Sequence, residues 1–592
     1  MQEEVIRMKN RFSALAVGLC IGLWFAAGIF YYPKWKMSGT EATISWDVSG
    51  YYWYLPSIFI YKDLKSQQFA SGIISKYNPS PDFQQANRHE SGNYVLKYSS
   101  GLAVCMLPAF LTAHTIAPLL GFPQDGFSLP YQFALWLWGL IVAILGLILM
   151  RNILLHWFRD IAVGLSIISI ALASNLLEYS ALTNAMTHNY LFTLYALLIW
   201  LSMHYHRKPS AATAIQIGLV TGMMVLIRPT EIVAVLIPLL WGLLPDRKSL
   251  SEKFHFLRTN ALDYLFATLA FMLVVSIQAV YWKYVSGEWL VYSYGDQGFS
   301  WLQPHIEDCL FSAKAGWITY TPIALLMMAG FFKLSRKHVF FIAGLVFFII
   351  FSYITFSWNI WWYGGSLGQR AMIHTYPILM FPLSALFERA MISKWNIGLL
   401  TILTLFFMHY NFWLHHQAHR GGLLKAGEMT KPYFLDIFFR YDVPEESLKL
   451  LDCKRMYRKE IKNANTLTPD NMPSPQDLIC LNDSIQFSPI YTVKLPSQKG
   501  WLRASATFST PEKEWESWKM TQMIIKYKNP KKEKFDMIRL QRLLNSGEKK
   551  VIHLDSRVDS ESEYAEIYFW NGSGNKTLCF SDLSIIWHPG KK

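Results

Sequence analysis

Apolar runs, most of them roughly 17 to 23 residues and so long enough to cross a hydrocarbon core of about 30 Å, recur from residue 13 to residue 413. The pattern predicts membrane-spanning helices over 13–32, 132–150, 161–177, 190–203, 212–227, 232–244, 262–282, 316–332, 339–356, 372–386 and 395–413. Segment 102–120 is equally apolar, and the basic residues between the runs decide how it counts. Taken as a span, it would place Arg151/Arg159, Arg207/Lys208, Arg247/Lys248/Lys253/Arg258, Lys333/Arg336/Lys337 and Arg389/Lys394 outside. As a helix in the outer interface it puts all five clusters inside, with Arg7, Lys9 and Arg11, as the positive-inside rule requires. The expected topology is about eleven spans with a cytoplasmic N-terminus and an outer C-terminus.

Beyond residue 413 the pattern changes. Residues 414–485 mix polar and apolar positions and read as a linker and helical region with aromatic anchors at Tyr433, Phe438 and Phe439. From Ser488, alternating runs at 490–495, 501–509, 523–527, 551–554, 564–570 and 583–587 are separated by Pro, Gly, Asn and Ser turns, which predicts strands. The expected fold class is a polytopic α-helical membrane protein with a C-terminal periplasmic all-β sandwich of jelly-roll type. Its domains are a transmembrane catalytic domain over 1–413, whose first periplasmic loop 33–130 carries juxtamembrane helices, then 414–485, then the sandwich over 486–592.

Charged residues make up only 16% of the chain, against roughly 25% in a soluble domain, which agrees with the spans. The formal charge of +14 would suit nucleic acid, but in a membrane protein basic residues collect in cytoplasmic loops, so no nucleic-acid partner is expected. Cys20, Cys105 and Cys309 lie in or near apolar segments, whereas Cys453, Cys480 and Cys579 lie in the polar C-terminal third without zinc-like spacing. A disulfide among the last three fits an extracytoplasmic domain, and the sequence does not choose the pair.

The topology gathers 33–100, 178–189, 284–315 and 357–370 on the outer face. Asp47, just beyond the first span, can act as a general base or hold a metal; alternatively it caps the helix that follows. Lys97 can neutralise a lipid-linked phosphate or simply snorkel at the interface. His89 and Glu90 close the same loop. In Thr183-Asn184-Ala185-Met186-Thr187-His188-Asn189, Asn184 and His188 must face one another or a cavity, as substrate-binding groups or as a polar helix cap. Trp358 to Arg370 contributes Trp362, Gly365 and Ser366 as candidate substrate contacts and Arg370 as a planar phosphate-binding fork. Arg228, in the turn Arg228-Pro229-Thr230-Glu231 between two short spans, should lie below the outer surface and needs an anion, either Glu231 or a substrate phosphate. His415 and His419 have the spacing of two ligands on one helical face but no evident carboxylate partner. A divalent metal (Mg, Mn or Zn) is left open, with His89, Glu90, His188 and His305 as candidate ligands.

Taken in order, Asp47, Lys97-Tyr98-Ser99-Ser100, Met186-Thr187-His188, the Gly-x-x-x-Gly and Arg-Pro-Thr stretch over 218–230 and the Gly-Ser-x-Gly-x-Arg loop over 365–370 resemble the motifs of bacterial membrane glycosyltransferases of the GT-C superfamily, which includes protein O-mannosyltransferases and aminoarabinose transferases of lipid A. The departures are Ser99 and Ser100 where relatives have prolines, Leu96 where some have an acidic ligand, and His188 where others carry a second Asp. The resemblance implies transfer of a sugar, with inversion, from a polyprenyl-phosphate donor to a lipid, glycan or protein acceptor at the outer face of a bacterial inner membrane. In that reading Asp47 is the base, and Lys97, Arg228 and Arg370 hold the donor phosphate. Two other classes use similar features: a transporter or flippase of a lipid-linked saccharide, and a membrane-anchored glycan-binding envelope protein.

Overall fold

The computed structural model describes residues 10–474, 477–512, 521–528, 534–572 and 576–590; Arg7 and Lys9 of the N-terminal basic cluster lie outside them. The chain divides into two compact units, Met1–Arg420 and Gly421–Lys592.

The first unit is helical along its apolar runs. Among the described residues four helices are long and apolar enough to cross a membrane: Arg11–Lys36, Leu129–Leu154, Ala261–Ser286 and Lys394–Gly421. Shorter apolar helices cover Gly101–Ile116, Asp160–Leu172, Ala211–Ile227, Pro229–Leu240 and Phe341–Phe356, and Thr187–Arg207 and Tyr376–Ala390 complete the bundle. On Ala261–Ser286, Leu262, Leu269, Met272, Leu273 and Val280 remain exposed, an apolar stripe suited to lipid rather than water. The run 316–332 is not one helix. It breaks into Trp317–Tyr320 and Ala324–Gly330, because Pro322 lacks an N–H and drives Thr321 out of the helical region.

Helices approach closely where side chains are small. A Cβ on Gly218 would lie 2.0 Å from the Ala267 carbonyl oxygen, so Ala211–Ile227 packs on Ala261–Ser286 only with glycine there. The first helix is capped from a distance: Asp160 accepts the backbone N–H groups of Phe12 (2.8 Å) and Ser13 (3.1 Å), satisfying donors that have no partner within their own helix. Between the first two long helices, the chain forms short helices Trp46–Tyr52, Tyr54–Phe59 and Ala70–Tyr77 and a hairpin of β1 (Ala86–Arg88) and β2 (Tyr94–Leu96).

The second unit holds β3 (Asn465–Thr466), β4 (Ile479–Leu481), β5 (Tyr491–Lys494), β6 (Gly500–Ser509), β7 (Thr521–Lys528), β8 (Lys534–Arg539), β9 (Lys549–Val558), β10 (Tyr564–Asn571) and β11 (Leu578–His588). They form two antiparallel sheets, ordered β5-β10-β7-β8 and β3-β11-β6-β9, with β4 added on β11. Alternation in β6 buries Leu502, Ala504, Ala506 and Phe508, and Ala565, Ile567 and Phe569 of β10 join the same apolar core. Strands β3, β4 and β8 have too little apolar alternation to be read from sequence. Cys480 and Cys579 are register partners in β4 and β11 and form the disulfide, leaving Cys453 a free buried thiol. Replacing both bridged cysteines by serine in the full-length protein is expected to cost about 2–5 kcal/mol of stability in this unit. Thermal unfolding followed at Trp501 and Trp587 measures it; an unchanged transition would show that the bridge contributes nothing.

Candidate functional site

Asp47 lies on Trp46–Tyr52, whose entry is set by three contacts. The Ile44 N–H donates to Gln132 Oε1 (2.8 Å), the Trp46 N–H donates to the Pro79 carbonyl (2.9 Å), and Gln85 Nε2 donates to Ser49 Oγ (2.9 Å). Trp46 adopts a left-handed conformation (φ 47°), a strained geometry for a bulky residue that turns the helix start sharply. The position before the helix is Ser45, and the Asp47 carboxylate points elsewhere. Its Oδ1 accepts from the Tyr98 hydroxyl (2.7 Å), and its Oδ2 is ion-paired with Arg370 Nη2 at 2.5 Å.

Arg370 opens the 3₁₀ turn Arg370–Thr375, which leads into Tyr376–Ala390. The loop before it folds on itself: Ser366 Oγ donates to the Trp362 (3.0 Å) and Gly368 (2.7 Å) carbonyls, and Gln369 Nε2 donates to the Trp361 carbonyl (2.7 Å). Gly364 and Gly368 both have φ of 65°, and a Cβ on Gly368 would meet Tyr320 Cβ at 2.7 Å, so the fourth residue of the Gly-Ser-x-Gly pattern must be glycine. Between the glycine turns, the Tyr363 ring faces two guanidinium groups, with Arg228 5.7 Å and Arg370 5.8 Å from its centroid. Lys97 Nζ stands 5.7 Å from the ring centres of Tyr98 and Tyr294. One carboxylate and three cations thus meet within an aromatic lining of Tyr51, Tyr98, Tyr294 and Tyr363.

Burial alone would raise the Asp47 carboxyl, but Arg370, the Tyr98 hydroxyl and Lys97 outweigh it and hold it below the ordinary 3.8. The Tyr98 phenol is pushed well up, first by burial and then by Asp47, so it stays a donor. Arg228 does not pair with Glu231. That carboxylate accepts from the Tyr195 hydroxyl through Oε2 (2.6 Å) and lies 2.9 Å from His374 Nδ1 through Oε1. Among the described residues no carboxylate lies within ion-pair distance of Arg228 or Lys97.

The remaining candidates fall elsewhere. Asn184 Nδ2 is committed to the Trp136 carbonyl (2.8 Å), which ties its turn to Leu129–Leu154. His188 is fully buried, its Nδ1 3.0 Å from His374 Nε2 and its ring edge-on to Tyr179. Trp362 carries Lys314 Nζ 3.5 Å over its ring, and Gly365 is exposed. His89 and Glu90 sit on the turn joining β1 and β2, and His305 precedes the helix Ile306–Phe311. Among the described residues no group of three His, Cys, Asp or Glu side chains is arranged to hold a metal ion. The carboxylate missing beside His415 and His419 is Glu178: its Oε2 lies 2.7 Å from His419 Nε2 and 3.6 Å from His415 Nε2. Burial would raise the Glu178 carboxyl, and the two imidazoles with the Thr183 hydroxyl bring it well below the usual range.

Sequence reasoning missed Tyr98, Tyr363 and His374, and named Glu231 only as a partner for Arg228, where the carboxylate instead meets Tyr195 and His374. Tyr98 was adjacent to a singled-out lysine, and His374 stands four residues after Arg370 on the same 3₁₀ turn. Tyr363 gave no signal, because an aromatic among tryptophans at a membrane surface reads as an interfacial belt.

No protein-family model matches the chain, and no curated protein matches it. Among solved structures it is similar to the cryo-EM structure of arabinosyltransferase EmbB from Mycobacterium smegmatis, at a TM-score of 0.37 and 10% identity, over 98% of this chain and 64% of that one. The chain therefore spans less than two thirds of that protein's length. A likeness of this degree defines no family, and the functional reading rests on the site itself.

Because the Asp47 carboxyl is lowered on folding, the stabilisation from its pair with Arg370 is complete above the ordinary value of 3.8 and is lost as pH falls through the lower folded value. Arg370→Gln removes the dominant opposing charge and leaves burial in control, so the carboxyl should titrate above its wild-type midpoint. Difference infrared spectra of the Asp47 carboxyl stretch, referenced to Asp47→Asn, measure this; an unmoved midpoint would show that Arg370 does not set the charge.

Proposed function

We propose that the chain is a membrane glycosyltransferase of GT-C type that moves a sugar from a polyprenyl-phosphate donor to a lipid, glycan or protein acceptor at the outer face of the inner membrane, with inversion. The observation that carries this reading is the meeting of one carboxylate with three cations, two of which have no carboxylate partner among the described residues, in a helical unit with membrane-length apolar helices. A phosphate attached to an apolar chain is the ligand that such a site suits.

In the proposed reaction Asp47 takes the proton of the acceptor nucleophile while the new bond to the anomeric carbon forms. On the opposite face the bond from that carbon to the phosphate oxygen breaks, and the electron pair leaves with the lipid phosphate. Arg370, Arg228 and Lys97 stabilise the charge that gathers there. Arg370 is shared: it holds Asp47 through Nη2 and can turn its Nη1 donors to the phosphate. The Cys480/Cys579 bridge supports an oxidising, periplasmic setting for the second unit. We read its two sheets as a jelly-roll-like sandwich that binds the acceptor, on fold type alone.

Purified full-length protein in lipid nanodiscs, offered radiolabelled polyprenyl-phosphate pentoses and hexoses with an envelope glycan extract, tests the reading. Asp47→Asn should lower transfer roughly 100- to 10,000-fold while donor binding survives. Undiminished transfer would remove Asp47 from the base role, and a wild-type protein that turns over none of the donors would count against glycosyl transfer.

A further inference from the structure

Beneath the ion pair of Asp47 and Arg370 runs a chain of buried polar groups that the proposed reaction does not use. Tyr195 lies on Thr187–Arg207, Glu231 on the turn Pro229–Val235, His374 on Arg370–Thr375 and His188 at the start of Thr187–Arg207. Glu231, His374 and His188 are each at most 1% exposed. The contacts are Tyr195 hydroxyl to Glu231 Oε2 (2.6 Å), Glu231 Oε1 to His374 Nδ1 (2.9 Å) and His374 Nε2 to His188 Nδ1 (3.0 Å).

The chemistry of one end orients the whole chain. An ionised carboxylate only accepts, so His374 carries its proton on Nδ1 and offers the Nε2 lone pair. His188 must then donate from Nδ1, which leaves its own Nε2 as a bare acceptor. That atom is buried and has no hydrogen-bond partner among the described residues. Arg370 Nε, a donor, is likewise buried and without a partner among those residues, and Arg370 lies close enough to His188 to act on it electrostatically. An orphan acceptor and an orphan donor near one another call for a group that both donates and accepts, which a hydroxyl does and a phosphate oxygen does not.

We propose that His188 Nε2 and Arg370 Nε–H together form a hydroxyl-binding subsite for the transferred sugar, with Glu231 and His374 as positioning residues that fix the histidine as an acceptor. The inference rests on the glycosyl-transfer reading and deepens it: it names a sugar hydroxyl, rather than phosphate or metal, as the partner of His188. The arrangement resembles the carboxylate-to-imidazole orientation of a hydrolase triad, lengthened by one ring, with the terminal nitrogen binding rather than abstracting a proton. Because Glu231 follows Arg228 by three residues and His374 follows Arg370 by four, the same chain also ties together the segments that carry both arginines.

Two measurements test it. Nitrogen NMR of ¹⁵N-histidine-labelled full-length protein in nanodiscs, with His188 assigned by its loss in His188→Phe, needs no substrate. His188 should show a protonated Nδ1 and an unprotonated Nε2 at neutral pH, and His374→Phe should abolish that preference. A wild-type His188 protonated on Nε2 overturns the proposal, as does a shift of its Nε2 signal on adding Zn²⁺ alone, which would assign the nitrogen to a metal. The second measurement takes the polyprenyl-phosphate sugar that the wild type turns over and its monodeoxy analogues. One analogue should lose roughly 10–100-fold in kcat/KM with the wild type and lose nothing further with His188→Phe. Glu231→Gln and His374→Asn should blunt the same penalty while KM for the lipid donor changes little. Deoxy penalties that all persist in His188→Phe would overturn the subsite. Failure of every donor would instead count against the transfer reading, with the NMR result still deciding the orientation of His188.

Discussion

The pair of Asp47 and Arg370 joins positions 323 residues apart and fixes the geometry of everything near it. Asp47 arrives from a strained helix start held by Pro79, Gln132 and Gln85; Arg370 arrives from a glycine loop closed by Ser366 and Gln369. Neither charge would be stable in this lining alone, since burying an isolated ion costs several kcal/mol even after relaxation. Together they form a neutral unit that lets the loops settle, and the unit places Tyr98 and Tyr363 where the other cations meet them.

The same electrostatic logic explains what the pair leaves over. Arg228 and Lys97 keep their charges against aromatic faces, which soften but do not cancel a cation. The Tyr363 ring stands before both Arg228 and Arg370, so the two guanidinium groups share a screen.

Much of this was legible in the sequence, and for identifiable reasons. Apolar run lengths carry the helices because a bilayer imposes a length; they failed at 316–332, where the local effect of Pro322 outweighed an apolar stretch. Alternation carried the long strands β6 and β10 and missed β3, a two-residue strand held by the neighbouring edge. Asp47, Lys97 and Arg370 could be singled out because charges beside spans are rare. What could not be read was pairing. Arg228 and Glu231 are neighbours in sequence, yet the carboxylate turns to Tyr195 and His374, groups brought to it from other helices. Asn184 and Ser366 looked available for a ligand and proved to be holding backbone carbonyls.

The remote cap on the first helix has a mechanical side. Asp160 grips the backbone of Phe12 and Ser13, and Arg151 reaches Ser13 Oγ and the Asn10 carbonyl, so this helix is pinned at its start to two neighbouring helices. Farther along, Trp24 Nε1 donates to the Ala171 carbonyl, a second fastening to one of the same neighbours. A rod held at two points does not tilt. The short stretch 37–45 that leads from the rod to the helix of Asp47 therefore starts from a fixed frame, and the position of the carboxylate is referred back to the neighbours that hold the rod.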